Sequence, residues 1–153
     1  MKKIFLDTNI LIKIFRGDPE EKILLSKESL KKVQYFISNL VIQELLLVGK
    51  KNNEINKFKI NQIDKYFKVI ELTPGDIEDL PPNLIKLKKL RNELVHKSFS
   101  LSLIDYFNLV LSQKYCDFLV TDDYRLIKTS KEILDDVKAL TLKEFKNKIL
   151  QEE

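Results

Sequence analysis

The chain alternates two kinds of apolar segment, and that alternation limits what it can fold into. Runs of strand length occur at KIFL (3–6), VQYFIS (33–38), KVIEL (68–72), DFLVT (117–121) and VKAL (137–140). Between them lie stretches with room for helices. NILIKIF is stopped by Gly17, and Asp18-Pro19-Glu20-Glu21 opens a helix to about Lys31 with Asp18 as N-cap and acids in the first turn. NLVIQELLLVGKK closes near Gly49; Ile55, Phe58, Ile60 and Ile63 share a helical spacing; TPGD (73–76) reads as a turn. Pro81-Pro82 breaks the chain before a helix over 83–96. A helix over 100–115 is apolar almost all round and therefore buried, and a last helix starts at Thr141. Strands separated by helical crossovers pair in parallel, with helices covering both faces. The expected fold is a three-layer α/β/α sandwich around a central, mainly parallel sheet.

At 153 residues with 44% hydrophobic side chains, the chain fits one domain over 1–153 with a sizeable core. Its 33% charged residues are mixed in sign, unlike a disordered scaffold. The first apolar run ends at Asp7, too early for a signal-peptide core, and no apolar segment is long enough to span a bilayer. A single cysteine, Cys116, excludes an intrachain disulfide and a cysteine-rich zinc site. The expectation is a soluble cytoplasmic protein with no membrane contact. A net charge of +4 suits a polyanionic partner, and equally a lysine-rich solvated surface.

Five carboxylates stand in places that call for explanation. Asp7 follows a strand and precedes a helix, as an ordinary N-cap would. Asp122 and Asp123 follow the strand FLVT, where an Asp-rich turn is common. Glu44 has Leu40, Val41, Leu47 and Val48 as its helical neighbours, so it does not lie on a solvated face; the plainer reading is a half-buried acid paired with a Lys or Arg. Asp105 shares a narrow polar stripe with Ser102, Asn108 and Ser112, which a helix-to-helix hydrogen bond would also explain. Asp7 and the 122–123 turn lie at the carboxyl ends of strands, where ligands gather in parallel sheets. Two carboxylates about 4 Å apart repel by roughly 4 kcal/mol at an effective dielectric of 20, so a converging set needs a cation. All-oxygen ligands favour Mg²⁺ or Mn²⁺. Acidic clusters holding such ions activate water and stabilise the leaving oxygen in phosphodiester hydrolysis.

FLDTNILI, SNLVIQEL, SLIDYFNLVLS and FLVTDDYRL resemble, in order and spacing, the motifs of PIN-domain proteins, over residues 4 to about 127. The set looks most like the compact prokaryotic PIN domains that include VapC-type toxins. The resemblance implies a Mg²⁺- or Mn²⁺-dependent endoribonuclease acting on single-stranded RNA. It makes Asp7, Glu44 and Asp105 the core acids. The last motif, Thr, any residue, Asp, is matched by Thr121 and Asp123, which leaves Asp122 on the variable position as an additional candidate ligand. Thr8 and Asn9 match the hydroxyl and amide of the first motif and would orient the acid. Small residues usually follow the third acid, whereas here Tyr106 and Phe107 do, and Leu126 replaces an aromatic after the last turn. Those departures bear on substrate fit. A VapC-like toxin implies an antitoxin partner and a homodimer; an RNA-processing factor requires neither.

Two competing readings remain. Arg91 and His96 in RNELVH resemble the Arg-(four residues)-His motif of metal-independent HEPN ribonucleases, but those are helical bundles and leave the strands unexplained. The chain could instead be a non-catalytic PIN-like module that binds RNA or protein. Lys86, Lys88, Lys89, Arg91 and Lys97 put five cations into twelve residues beside one acid, Glu93, forming either an RNA-tracking surface or a solvated helix face.

Overall fold

The computed structural model describes residues 1–52, 62–78, 103–133 and 138–151. Five strands, β1 (Lys2–Leu6), β2 (Val33–Ser38), β3 (Phe67–Ile70), β4 (Phe118–Val120) and β5 (Lys138–Leu140), form one sheet in the order β3-β2-β1-β4-β5. Every pairing is parallel. Ile4, Phe5 and Leu6 are consecutive in the central strand and all fully buried. Successive strand side chains point to opposite faces, so both faces of β1 are covered, as the three-layer α/β/α arrangement requires.

Helices fill the crossovers. Between β1 and β2 run α1 (Thr8–Arg16), α2 (Pro19–Lys22), a 3-10 turn (Ile23–Leu25) and α3 (Lys27–Lys32). Gly17 ends α1 at φ 86°, in the left-handed region, with its N–H on the carbonyls of Ile14 and Lys13. The single helix expected from Asp18 to about Lys31 is therefore divided. Its divider is Ser26, which sits in extended conformation and caps α3 by accepting from the Ser29 N–H. After β2, α4 (Asn39–Lys51) passes through Gly49 and ends at Asn52. A short α5 (Ile63–Tyr66) leads into β3. The expected turn at 73–76 is the start of α6 (Pro74–Glu78), with Pro in the first turn, where a missing N–H costs nothing. Then come α7 (Leu103–Tyr115), α8 (Tyr124–Ile133), α9 (Leu142–Phe145) and a terminal π-turn (Lys146–Leu150). The helical spacing at Ile55, Phe58 and Ile60, the Pro81-Pro82 break and the helix over 83–96 lie outside the described residues.

Tyr35 anchors the β2 side of the core, its hydroxyl 2.6 Å from Ser29 Oγ and its ring against Phe67 and Phe145. The strand order determines where a ligand site can form. The chain builds outward from β1 through β2 to β3, then returns to the other side of β1 for β4 and β5. That reversal makes the carboxyl ends of β1 and β4 the topological switch point of the sheet. Asp7 N–H donates to Val120 O (3.1 Å) across it.

Candidate active site

Asp7 ends β1 and caps α1, its Oδ1 accepting the Thr8 N–H at 2.8 Å. It is both a helix cap and a cleft residue, so capping does not take it out of the site. Its Oδ2 accepts from Thr121 Oγ1 (2.7 Å) and, more loosely, from Asn9 Nδ2 (3.4 Å). Asn9 Nδ2 also reaches Thr121 Oγ1 (3.2 Å), which accepts the Asp123 N–H (3.0 Å), while Asn9 Oδ1 accepts the Asp122 N–H (3.3 Å). Thr121, fully buried at the end of β4, thereby ties the first acid to the turn carrying the last one.

Glu44 lies half-buried on α4, and its Oε2 accepts from the Thr8 hydroxyl. Ser38 begins that helix: its Oγ accepts the Val41 N–H (3.1 Å) and donates to Asn108 Oδ1 (2.7 Å). This fully buried link joins α4 to α7, whose first turn carries Asp105. Asp7, Thr8, Asn9, Glu44, Asp105 and Asp123 line one open cleft of about 400 Å³, with Ile12, Leu47 and Val48 as an apolar wall. Four of the five acids singled out in the sequence thus meet at the switch point. The fifth, Asp122, is exposed outside that lining, its Oδ2 2.6 Å from Lys13 Nζ. Asp123 Oδ1 accepts the Arg125 N–H (3.0 Å) and lies 3.4 Å from Arg125 Nε.

Burial pushes the Asp7 carboxyl up to about 6; the Thr121 and Thr8 hydrogen bonds oppose the shift, and the charges of Asp105 and Glu44 add to it. Burial likewise raises Glu44, with the Thr8 bond opposing and Asp105 adding. A cation would relieve both effects, and the donors are all oxygen, so the side chains suit a hard divalent ion. Among the described residues, no three His, Cys, Asp or Glu side chains are gathered closely enough to hold an ion as they stand.

Sequence reasoning missed Lys13 and Arg125, the cations beside the acidic turn. Lys13 was findable, because it lies four residues after Asn9 and so one turn along the same helix face. Lys86, Lys88, Lys89, Arg91, His96 and Lys97 lie outside the described residues.

The PIN-domain profile matches residues 4–132. The chain belongs to the PIN-domain family. No curated protein matches it. This PIN domain shares its fold with chains from several toxin–antitoxin structures. In Rickettsia felis VapBC2 bound to a promoter DNA fragment, the likeness has a TM-score of 0.62 at 19% identity, covering 91% of this chain and 98% of that one. In DNA-bound VapBC from Salmonella typhimurium, the values are 0.60 and 19%, over 93% and 99%. For Mycobacterium tuberculosis VapC20, a Sarcin-Ricin loop cleaving toxin, they are 0.54 and 15%, over 80% and 92%. Among the described residues of this PIN domain, no helix is long and apolar enough to cross a membrane.

Proposed function

We propose that this PIN domain is a divalent-cation-dependent endoribonuclease acting on single-stranded RNA in the cytoplasm, as the toxin of a toxin–antitoxin pair. The observation that carries the reading is the convergence of Asp7, Glu44, Asp105 and Asp123, from four elements, on one cleft at the switch point. The toxin role is supported by the shared fold with VapBC chains, and with a Sarcin-Ricin loop cleaving toxin.

Asp7, Glu44, Asp105 and Asp123 would hold Mg²⁺ or Mn²⁺. When bound, such ions activate water and neutralise charge on a scissile phosphate. The remaining work falls to the protein. Thr121 and Asn9 fix one Asp7 oxygen and the Thr8 backbone fixes the other, so the carboxylate is aimed before an ion arrives. Thr8 does the same for Glu44. Lys13 holds Asp122 aside, which favours Asp123 over Asp122 as the fourth ligand.

The test is cleavage of a mixed-sequence single-stranded RNA with Mn²⁺, Mg²⁺ or EDTA, comparing wild type with Asp7→Asn. Cleavage should need the ion and vanish in the folded variant; cleavage that survives both changes would overturn the site. The pairing of Arg125 with Asp123 favours a second reading, a non-catalytic binding module whose acids are structural. That module would give no bound Mn²⁺ signal in paramagnetic resonance.

A further inference from the structure

We infer that Tyr124 is a stacking platform for a base of the single-stranded RNA, a positioning residue on the rim of the cleft. The inference rests on the proposed nuclease reading and specifies how substrate is held there. Tyr124 is 73% exposed, and among the described residues the other exposed large apolar side chains are aliphatic or Met1. It follows directly on Asp123, so its Cα lies one ~3.8 Å step from that of a cleft-lining residue. Its neighbours in α8, Leu126 and Ile127, are buried and anchor the helix, so the ring stands on a fixed base. Arg125 and Lys13 flank this turn, each engaged by one of its carboxylates.

An acidic cleft repels a phosphate backbone, so a strand entering it must be held from the rim. An exposed aromatic ring provides such a hold on single strands, because it takes a base by stacking without regard to sequence. The wall on the α4 side, Leu47 and Val48, is aliphatic and offers no equivalent ring.

The experiment compares wild type, Tyr124→Ala and Tyr124→Phe on a mixed-sequence single-stranded RNA with Mn²⁺, and uses Tyr124→Trp as a fluorescent probe, the chain having no tryptophan of its own. Loss of the ring should raise KM about tenfold and change kcat little, and Phe should restore it. RNA should quench the introduced tryptophan. An unchanged KM in Tyr124→Ala, or RNA binding seen by anisotropy without quenching, overturns the inference. If Tyr124→Ala leaves KM alone but weakens self-association in sedimentation, the ring belongs to a protein contact and the inference fails. Quenching by RNA without any cleavage by wild type would keep the platform and reject the catalytic reading. Neither quenching nor cleavage rejects both.

Discussion

Asp7 shows how one side chain's environment reaches into chemistry and stability together. In the folded chain it keeps its proton to about pH 6, against 3.8 for an ordinary aspartate, chiefly because it is 4% exposed. A raised carboxyl pKa means that folding favours the protonated form. The stability it contributes is fully present below the ordinary carboxylate range and declines as pH rises through about 6, by at most ~3 kcal/mol. Asp7→Asn should therefore raise the ion-free protein's urea midpoint at pH 8, by a stability gain of about 1–3 kcal/mol, and the gain should shrink towards pH 4. Mn²⁺ affinity should fall below pH 6, because the ion must displace that proton; a flat titration from pH 5 to 8 would contradict the role given to Asp7. Thr121→Val removes the donor to Asp7 Oδ2 and the acceptor of the Asp123 N–H while nearly conserving volume. Cleavage should drop about 10- to 100-fold, as for partners of metal ligands elsewhere, with a stability loss of ~1–3 kcal/mol by denaturation.

Among the elements, α6 and α7 are joined by a polar lock that the local sequence does not announce. Asp76 is fully buried and accepts from Thr73 N–H (2.9 Å), Lys114 Nζ (2.6 Å) and the Tyr115 hydroxyl (2.7 Å). Burial opposes its ionisation, yet these bonds together hold it well below the usual carboxylate range. Its contribution is complete above that range and is lost only as pH falls through its own depressed value. Asp76→Ala should cost about 1–3 kcal/mol at pH 7 and only somewhat less at pH 3, as denaturant melts at the two values would show. The sequence read TPGD as a turn because Pro-Gly is a turn signal, and partners 38 and 39 residues away left no local trace. The division of α2 from α3 was missed for a similar reason, since Ser26 sits in an otherwise helical stretch and only its extended backbone reveals the cap. By contrast, the strands were legible within about a residue at most ends, because apolar runs bounded by polar residues carry their own limits.

For the whole molecule, the alternation of strands and helices predicted the parallel sheet, and membership of the PIN-domain family agrees with the motif order read from the sequence. The strand order was not legible, and so neither was the way Asp7 and Thr121 face each other across the switch point. The sequence placed both at strand ends but could not say that β1 and β4 are neighbours. Metal removal is the matching test at this scale. Mg²⁺ at a hundred times its Kd should stabilise the protein by about 2.7 kcal/mol and raise its melting temperature by several degrees, and EDTA should reverse the shift. An equal rise in Asp7→Asn would place the ion elsewhere.

The seam between β1 and β4 has one more consequence. Its register is Ile4–Phe118, Phe5–Leu119 and Leu6–Val120, so it joins β1 to a strand made more than a hundred residues later. During synthesis, β1, β2 and β3 can assemble first, but Thr121 and Asp123 are still in the ribosome or not yet made. A growing chain therefore carries half a cleft until the 121–123 turn has emerged and β4 has docked beside β1.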